Sequence, residues 1–208
     1  MSENLVFYTN PMSRGRIARW MLEEVAQPYQ TILLDFPAMK MPDYLAINPM
    51  GKVPAISHRG ALVTECAAIC AYLADAFPQA GLAPPPDSPA RAPYYRWLFF
   101  AAGPVEAAIT NKTFGFELPP GRDVSAGYGS FAAVMDTMEA AITGRDYLAG
   151  GEFSAADVYF GSQIGFGLRF NTIEKRPAFE AYFARLAARP AYQRANEIDD
   201  KLLSTPKE

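Results

Sequence analysis

Two stretches of the sequence, close together in the chain, contain residues that could bind a ligand through their backbone groups. The first is Asn48-Pro49-Met50-Gly51-Lys52-Val53-Pro54-Ala55-Ile56, and the second, a few residues later, begins Thr64-Glu65-Cys66. Proline removes a backbone donor and keeps the preceding residue extended, so Val53 should offer unused backbone groups at a strand edge. Thr64 as N-cap and Glu65 in the first turn predict a helix start, and a helix N-terminus can hold an anion.

The elements predicted to position these stretches alternate between strands and helices. Leu5 to Thr9 and Tyr29 to Leu34 are apolar or β-branched runs typical of strands. Asn10-Pro11 predicts a turn, and Ser13 is a suitable N-cap for the helix that follows. A hairpin is predicted around His58-Arg59-Gly60, with His58 as a solvated turn residue. The helix after Ser13 is expected to bury Ile17, Trp20, Met21 and Val25 and to leave Arg16, Arg19, Glu23 and Glu24 in solvent.

A segment rich in proline, alanine and glycine, from Phe77 to Pro93, separates this region from the rest of the chain. Such a composition is typical of a linker, and the strand signals stop after it. We therefore predict a first domain over residues 1–78, a linker over 79–88 and a second domain over 89–208. Four helical stretches are predicted in the second domain, over residues 89–113, 123–143, 154–168 and 177–199.

The motif N-P-x-G-K-V-P-A, followed by a hairpin and T-E-x-x-A-I, resembles the glutathione transferase family, in particular its bacterial type. Two later phrases also match the family: G-E-F-S-A-A-D at 151–157, a helix-capping motif with a structural role, and R-P-A-Y at 189–192. The resemblance implies an α/β thioredoxin-like domain (βαβ-α-ββα) in which Pro54 is cis, followed by an all-helical C-terminal domain. It also implies glutathione as co-substrate and a homodimer.

The resemblance assigns the parts of glutathione to the two stretches described above. The cysteinyl backbone would lie along the Val53-Pro54 peptide, Glu65 would hold the γ-glutamyl ammonium, and the backbone amide of Cys66 would hold the γ-glutamyl carboxylate. Family members usually have Ser at position 66, and a hydroxyl is a stronger donor than a thiol. Lys40 and Lys52 are the candidates for the glycine carboxylate, and the match favours Lys52 by position.

The resemblance places the glutathione sulfur at the start of the first helix. A hydroxyl donor, the helix N-terminus and a nearby cation there would favour thiolate over thiol, and Ser13 with Arg14 beside it supplies them. Many family members place the working residue just before the proline, where this chain has Asn10, whose amide can also donate to a thiolate. Ser13 and Asn10 are therefore both candidates. For the hydrophobic acceptor pocket, the candidates from the aromatic-rich region that follows the linker are Phe99, Phe114 and Phe116.

Composition argues against several other classes of function. The 208 residues are 50% hydrophobic and carry a net charge of −3 without basic clusters, so no nucleic-acid partner is expected. No apolar run is long enough to span a bilayer and no signal peptide is recognised, so we expect a cytoplasmic protein without a membrane partner. A single His, with Cys66 and Cys70 as small buried residues on one helix face, predicts no metal site.

The predicted function is glutathione transfer, as in detoxification, in which the thiolate attacks an electrophilic carbon of a hydrophobic acceptor. Two alternatives stay open. One is a glutathione-dependent reductase of disulfides or peroxides, although no cysteine follows the first strand. The other is a non-enzymatic binding or regulatory protein that keeps the fold, which Cys66 at the anchor position would favour.

Overall fold

The structure is a computed structural model that describes residues 4–204. Of these, the residues up to Leu82 and those from Arg189 onward form one compact unit, and Ala83–Ala188 form a second. The end of the chain therefore packs with its beginning, whereas the predicted second domain, 89–208, included this last segment.

A four-stranded sheet lies at the centre of the first unit. Its strands are β1 (Leu5–Thr9), β2 (Tyr29–Leu33), β3 (Ala55–His58) and β4 (Ala61–Thr64), in the spatial order β2-β1-β3-β4. β1 runs parallel to β2 and antiparallel to β3, and β3 and β4 form an antiparallel hairpin. The helices interleaved with these strands are α1 (Gly15–Val25), α2 (Pro42–Leu45) and α3 (Cys66–Ala76). This arrangement confirms the predicted thioredoxin-like fold.

Helix α1 is buried on the face where apolar residues recur at helical spacing. Ile17, Met21 and Val25 lie four residues apart, and all three are buried. A stripe of this kind must be covered by other elements, because its burial supplies most of the stability of a short helix. Helix α1 packs against α3, and the two helices and the sheet share a core of Leu5, Phe7, Ile17, Met21, Ile56, Ile69 and Leu73.

The last helix, α9 (Pro190–Ser204), covers a polar side of α1. Arg19 is only 1% exposed, and its Nε donates to Oδ1 of Asp199 in α9 at 2.7 Å. Its guanidinium also lies 5.1 Å from the ring centre of Phe7. The prediction that Arg19 stays in solvent is wrong, because an equally buried carboxylate from the end of the chain compensates its charge.

The hairpin differs from its prediction at His58. The turn consists of Arg59 and Gly60, whose φ angles of 52° and 81° are typical of a two-residue hairpin turn. His58 is instead the last residue of β3 and is buried, with Nδ1 3.1 Å from the hydroxyl oxygen of Tyr72 and its ring against Phe77. The shorter turn moves His58 from the predicted loop into the packed face of the hairpin.

The second unit is built from helices. They are α4 (Arg91–Phe100), α5 (Glu106–Phe114), α6 (Phe131–Ile142), α7 (Ala155–Phe170) and α8 (Pro177–Ala187). A π-helical turn over Ala101–Val105 interrupts the first predicted helix, because Pro104 inside it lacks a backbone N–H. The stretch predicted as helical over 177–199 is also two helices, since Pro190 begins α9. The stretch predicted over 123–143 becomes α-helical only at Phe131, after two glycines at 127 and 129.

The predicted capping motif is present at the start of α7. Ser154 and Asp157 form a reciprocal capping box, in which the Ser154 N–H donates to Asp157 Oδ2 at 2.9 Å. The other carboxylate oxygen accepts from the Leu148 N–H at 2.9 Å and from the Tyr182 hydroxyl at 2.6 Å. Asp157 thereby joins a loop and two helices of the second unit, which confirms its structural role.

Candidate active site

The loop between β1 and α1 is closed by a network of its own hydrogen bonds. Asn10 is only 6% exposed, and its Oδ1 accepts from the Met12 N–H at 2.8 Å. Its Nδ2 donates to the Leu34 carbonyl at 2.8 Å, just beyond β2. Asn10 thus forms an Asx turn and ties the loop to the neighbouring strand.

The sequence predicted Ser13 as the N-cap residue of α1, but Ser13 is the residue before the N-cap. The N-cap residue of α1 is Arg14, which makes no side-chain cap. The Ser13 hydroxyl accepts from the Gly15 N–H at 2.9 Å and donates to the Asn10 carbonyl at 2.6 Å. Ser13 therefore still satisfies an N–H of the first turn, and its part-exposed hydroxyl lies at the positive end of the helix.

Gly15 is required by the close approach of α1 to the strand. A Cβ atom at this position would collide with Oγ1 of Thr9 and would lie 3.1 Å from Oγ of Ser13. The absence of a side chain lets the first turn of the helix lie directly on the end of β1. Thr9 at the end of β1 and Ser13 therefore both lie close to Gly15.

The peptide bond between Val53 and Pro54 is cis, as the resemblance implied. The carbonyl of the preceding residue, Lys52, accepts from the Tyr44 hydroxyl at 2.7 Å and from Asn48 Nδ2 at 2.8 Å. The β1–β3 ladder reaches only to the pair of Tyr8 and Ala55, so Val53 lies beyond its end. The backbone of Val53 is therefore located where an extended ligand could continue the ladder.

Tyr44 and Asn48, which donate to the Lys52 carbonyl, were not among the residues predicted for the site. Both side chains are buried, and burial raises the pKa of Tyr44 to about 12. Asn48 could have been found from its place before a proline, because its Oδ1 also accepts from the Met50 N–H at 3.1 Å in an Asx turn. No signal near Tyr44 distinguishes it from an ordinary core aromatic.

The two lysines that were candidates for the glycine carboxylate differ in their contacts. Lys40 Nζ donates to the carbonyls of Met50 and Gly51, at 3.1 Å and 3.0 Å. Lys52 is exposed, next to the cis peptide. Gly51 has φ of 57°, and a Cβ there would lie 2.6 Å from the Met39 carbonyl oxygen, so glycine is needed for this turn.

Glu65 adopts an unusual backbone conformation at the start of α3. It is the N-cap residue, with φ of 65° and ψ of 123°, and it is exposed. The predicted N-cap, Thr64, is instead the last residue of β4. A positive φ is costly for a residue with a side chain, and such residues are concentrated at functional sites.

Cys66 brings the starts of α1 and α3 together. Its thiol is buried and donates to the Arg14 carbonyl, with 3.7 Å between Sγ and the oxygen. Cys70, one turn further along, is completely buried, and burial raises its thiol pKa well above the ordinary value. Both cysteines are buried, as predicted.

The three candidate acceptor residues are exposed side chains of the second unit. Phe99, Phe114 and Phe116 are 71%, 70% and 65% exposed, and the rings of Phe114 and Phe116 have centres 6.2 Å apart. All three side chains are exposed enough to contact another molecule, although single exposed apolar residues are common on protein surfaces.

Within the part of the chain that the structure describes, no group of three or more His, Cys, Asp or Glu residues is arranged to hold a metal ion. No helix within residues 4–204 combines the length and the apolar character needed to cross a membrane.

Comparison with known proteins identifies the family. The family model described as the N-terminal domain of glutathione S-transferase matches residues 12–76, and the one described as the C-terminal domain matches residues 124–190. Glutathione S-transferase GST-4.5 of Xanthomonas campestris is 27% identical over 199 residues, which cover 92% of this chain and 97% of that protein. Glutathione S-transferase 3 of Zea mays is 28% identical over 205 residues, with 91% and 92% covered.

Solved structures agree with the sequence relatives. A glutathione transferase from Methylococcus capsulatus has a TM-score of 0.78 at 28% identity and covers 95% of this chain and 99% of its own. A glutathione transferase homologue from Sulfitobacter, solved with bound glutathione, has a TM-score of 0.75 at 28% identity, with 96% and 99% covered. A thioredoxin-like unit with a helical second unit is thus the shared architecture. The chain belongs to the glutathione S-transferase family.

Proposed function

We propose that this protein is a glutathione transferase that joins the glutathione thiolate to an electrophilic carbon of a hydrophobic acceptor. The observation that carries the proposal is the contact of Cys66 Sγ with the Arg14 carbonyl, at 3.7 Å. It brings two helix N-termini together, and each offers backbone N–H groups that have no partner within its helix. Such a place suits a ligand that carries a carboxylate and a thiolate.

Glutathione would bind in an extended form between these groups. The Val53 backbone, beyond the end of the β1–β3 ladder, suits the cysteinyl backbone. The Glu65 carboxylate would hold the γ-glutamyl ammonium, and the Cys66 N–H would donate to the γ-glutamyl carboxylate. Lys52, exposed beside the cis peptide, would meet the glycine carboxylate, whereas Lys40 is engaged by two backbone carbonyls.

Ser13 is the better candidate for stabilising the sulfur. Its hydroxyl is part-exposed and needs only to exchange its bond to the Asn10 carbonyl for one to the thiolate, while it keeps the bond from the Gly15 N–H. Asn10 is buried, and both polar atoms of its amide already hold the loop. The positive end of α1 would lower the thiol pKa further, with no general base required.

In the transfer step, the thiolate sulfur attacks the electrophilic carbon and forms a C–S bond, while the leaving group departs with the electrons of its own bond. The thiol proton has already been lost to solvent. Positioning then supplies much of the acceleration. Phe99, Phe114 and Phe116 stay the predicted acceptor contacts, in agreement with their exposure. The homodimer and the cytoplasmic location also stay predictions.

The proposal is tested by retention on immobilised glutathione, followed by assays with an aryl halide and with a small disulfide. We expect retention and conjugation of the aryl halide with release of halide. Reduction of the disulfide without conjugation would favour the reductase alternative. A folded protein that is not retained and is inactive in both assays would overturn the proposal in favour of a protein that only keeps the fold.

A further inference from the structure

Arg16, in the first turn of α1, connects the loop after β1 to the last helix. Its Nε donates to the Pro11 carbonyl at 2.7 Å. Its two terminal nitrogens donate to α9, with Nη1 3.1 Å from Asn196 Oδ1 and Nη2 2.6 Å from Asp200 Oδ1. The sequence predicted that this side chain would lie in solvent, but it is only 11% exposed. One guanidinium therefore links residues from both ends of the chain.

With the bond from Arg16, both polar groups of the Pro11–Met12 peptide are hydrogen-bonded. The carbonyl of the Pro11–Met12 peptide accepts from Arg16, and the N–H of the same peptide donates to Asn10 Oδ1 at 2.8 Å. The next N–H, that of Ser13, donates to the Asn10 carbonyl at 3.0 Å. Because a peptide unit held on both sides cannot rotate, the direction in which the chain enters Ser13 is set in part by Arg16.

The link to Arg16 is one end of a charge-complementary contact between two antiparallel helices. Arg16 near the start of α1 meets Asn196 and Asp200, in the middle and towards the end of α9. Glu24 near the end of α1 accepts a bidentate bond at 2.7 and 2.8 Å from Arg189, the residue just before α9. Glu23 similarly accepts from Arg194 at 3.3 Å. Only the Arg16 end of this contact adjoins the proposed sulfur site, so the other end offers a matched control.

We propose that Arg16 is a positioning residue for the sulfur site, and that α9 holds it in place through Asn196 and Asp200. The inference rests on the proposed function for its effect on glutathione, although the effect on the loop does not depend on it. Arg16 is not expected to touch the sulfur. It acts by orienting the Pro11–Met12 peptide and hence Ser13, and its fork of donors makes the three bonds that a lysine ammonium cannot make in the same geometry.

The experiment compares the wild type with Arg16→Ala, Arg16→Lys and Asp200→Asn, with Arg194→Ala as the control at the far end of the helix pair. Three quantities are measured: hydrogen exchange at the Met12 and Ser13 amides without ligand, the thiol pKa of bound glutathione from the absorbance of the thiolate, and kcat/KM for conjugation of an aryl halide. Thermal unfolding of each variant shows that it is folded at the temperature of measurement.

We expect Arg16→Ala to speed exchange of the Met12 amide about tenfold and to lower kcat/KM about tenfold, the size expected for loss of a charge-assisted hydrogen bond. The thiol pKa should rise by about one unit in the same variant. Arg16→Lys should recover only part of the lowering of the thiol pKa, because lysine keeps the charge but lacks the planar set of guanidinium donors. Asp200→Asn should have a smaller effect, since Asp200 is 64% exposed, and Arg194→Ala should have none.

Each failure has its own signature. Unchanged exchange at Met12 and Ser13 in a folded Arg16→Ala protein would overturn the positioning role, whatever glutathione does. If Arg16→Ala does not fold, the same conclusion follows from unchanged exchange in both Arg16→Lys and Asp200→Asn. A wild type without bound thiolate, but with faster exchange in Arg16→Ala, would overturn the proposed function and leave the loop-positioning role in place.

Discussion

The thiol of Cys66 donates to the carbonyl of Arg14, with 3.7 Å between Sγ and the oxygen, so the first residue of α3 touches the residue that caps α1. The N-termini of α1 and α3, which are about 50 residues apart in the sequence, are thereby in contact. At position 66, where family members usually have the hydroxyl donor Ser, this chain has a thiol. The thiol is a weaker donor, and it is engaged by the Arg14 carbonyl. Under the proposed function, backbone N–H groups would therefore hold the γ-glutamyl carboxylate.

Cys66→Ser should tighten glutathione binding. A serine hydroxyl is a stronger donor than a thiol and, on rotation away from Arg14, can reach the ligand carboxylate. We expect KM for glutathione to fall about tenfold with little change in kcat, because the new bond is made in the ground state and the transition state alike. Steady-state kinetics measure both constants. Cys70→Ala is the matched control, and an equal fall in its KM would contradict the assignment.

Glu65→Gly should separate backbone strain from ligand binding. Glycine tolerates the φ of 65° at this N-cap, so the variant should be at least as stable as the wild type, whereas Glu65→Ala should be less stable. Both variants lose the carboxylate, and we expect KM for glutathione to rise about ten- to hundredfold in each. Thermal unfolding and kinetics measure the two effects. A wild-type KM in Glu65→Gly would show that the carboxylate does not anchor glutathione.

Tyr44 should make stability depend on pH in the alkaline range. Burial raises its folded-state pKa to about 12, above the ordinary value of 10.0, so the folded state favours the neutral hydroxyl that donates to Lys52. The contribution of the neutral Tyr44 hydroxyl to the free energy of unfolding is complete below the unfolded-state pKa of 10.0. It is lost as pH rises toward the folded-state pKa of about 12.

Tyr44→Phe tests this dependence through urea unfolding at a series of pH values. The variant should be less stable at neutral pH by about 1 kcal/mol, because one donor to the Lys52 carbonyl is lost. Its unfolding free energy should then fall less steeply than that of the wild type as pH rises above 10. Parallel curves for the two proteins would show that Tyr44 does not carry the pH dependence.

Asp157→Ala should strongly destabilise the second unit. The substitution leaves the buried N–H groups of Leu148 and Ser154 and the Tyr182 hydroxyl without their acceptor. Because each buried donor left unpaired costs about 1–3 kcal/mol, we expect a loss of at least about 3 kcal/mol in the free energy of unfolding. Asp157→Asn keeps one acceptor oxygen and should lose less. Equal stability of the alanine variant and the wild type would contradict the structural role.

Local motifs predicted the parts of the molecule that depend on neighbouring residues. The positions of β1 and β2 and the capping box at Ser154 follow from short patterns whose physical cause lies within a few residues. The cis peptide at Val53 was implied by the family resemblance alone. The fold followed from a family resemblance carried by two such patterns. Ser13 was placed correctly to within one residue of the helix start.

Contacts between distant parts of the chain could not be predicted in this way. Arg16 and Arg19 were expected in solvent because a helical pattern assigns charged residues to the outer face. Their partners in α9 are 180 residues or more away in the sequence, and no periodicity indicates them. His58 was misplaced for a simpler reason: the turn has two residues rather than three, and a shift of one residue changes which side of a hairpin a side chain occupies.

The most direct test of the proposed function is the absorbance of bound glutathione thiolate as pH is raised, for the wild type, Ser13→Ala and Asn10→Ala at saturating glutathione. We predict a depressed thiol pKa in the wild type and a return toward the value of unbound glutathione, by about one unit or more, in Ser13→Ala. A depressed pKa that persists in Ser13→Ala and is lost only in Asn10→Ala would move the role to the amide. No bound thiolate in the wild type at any pH would contradict glutathione transfer itself.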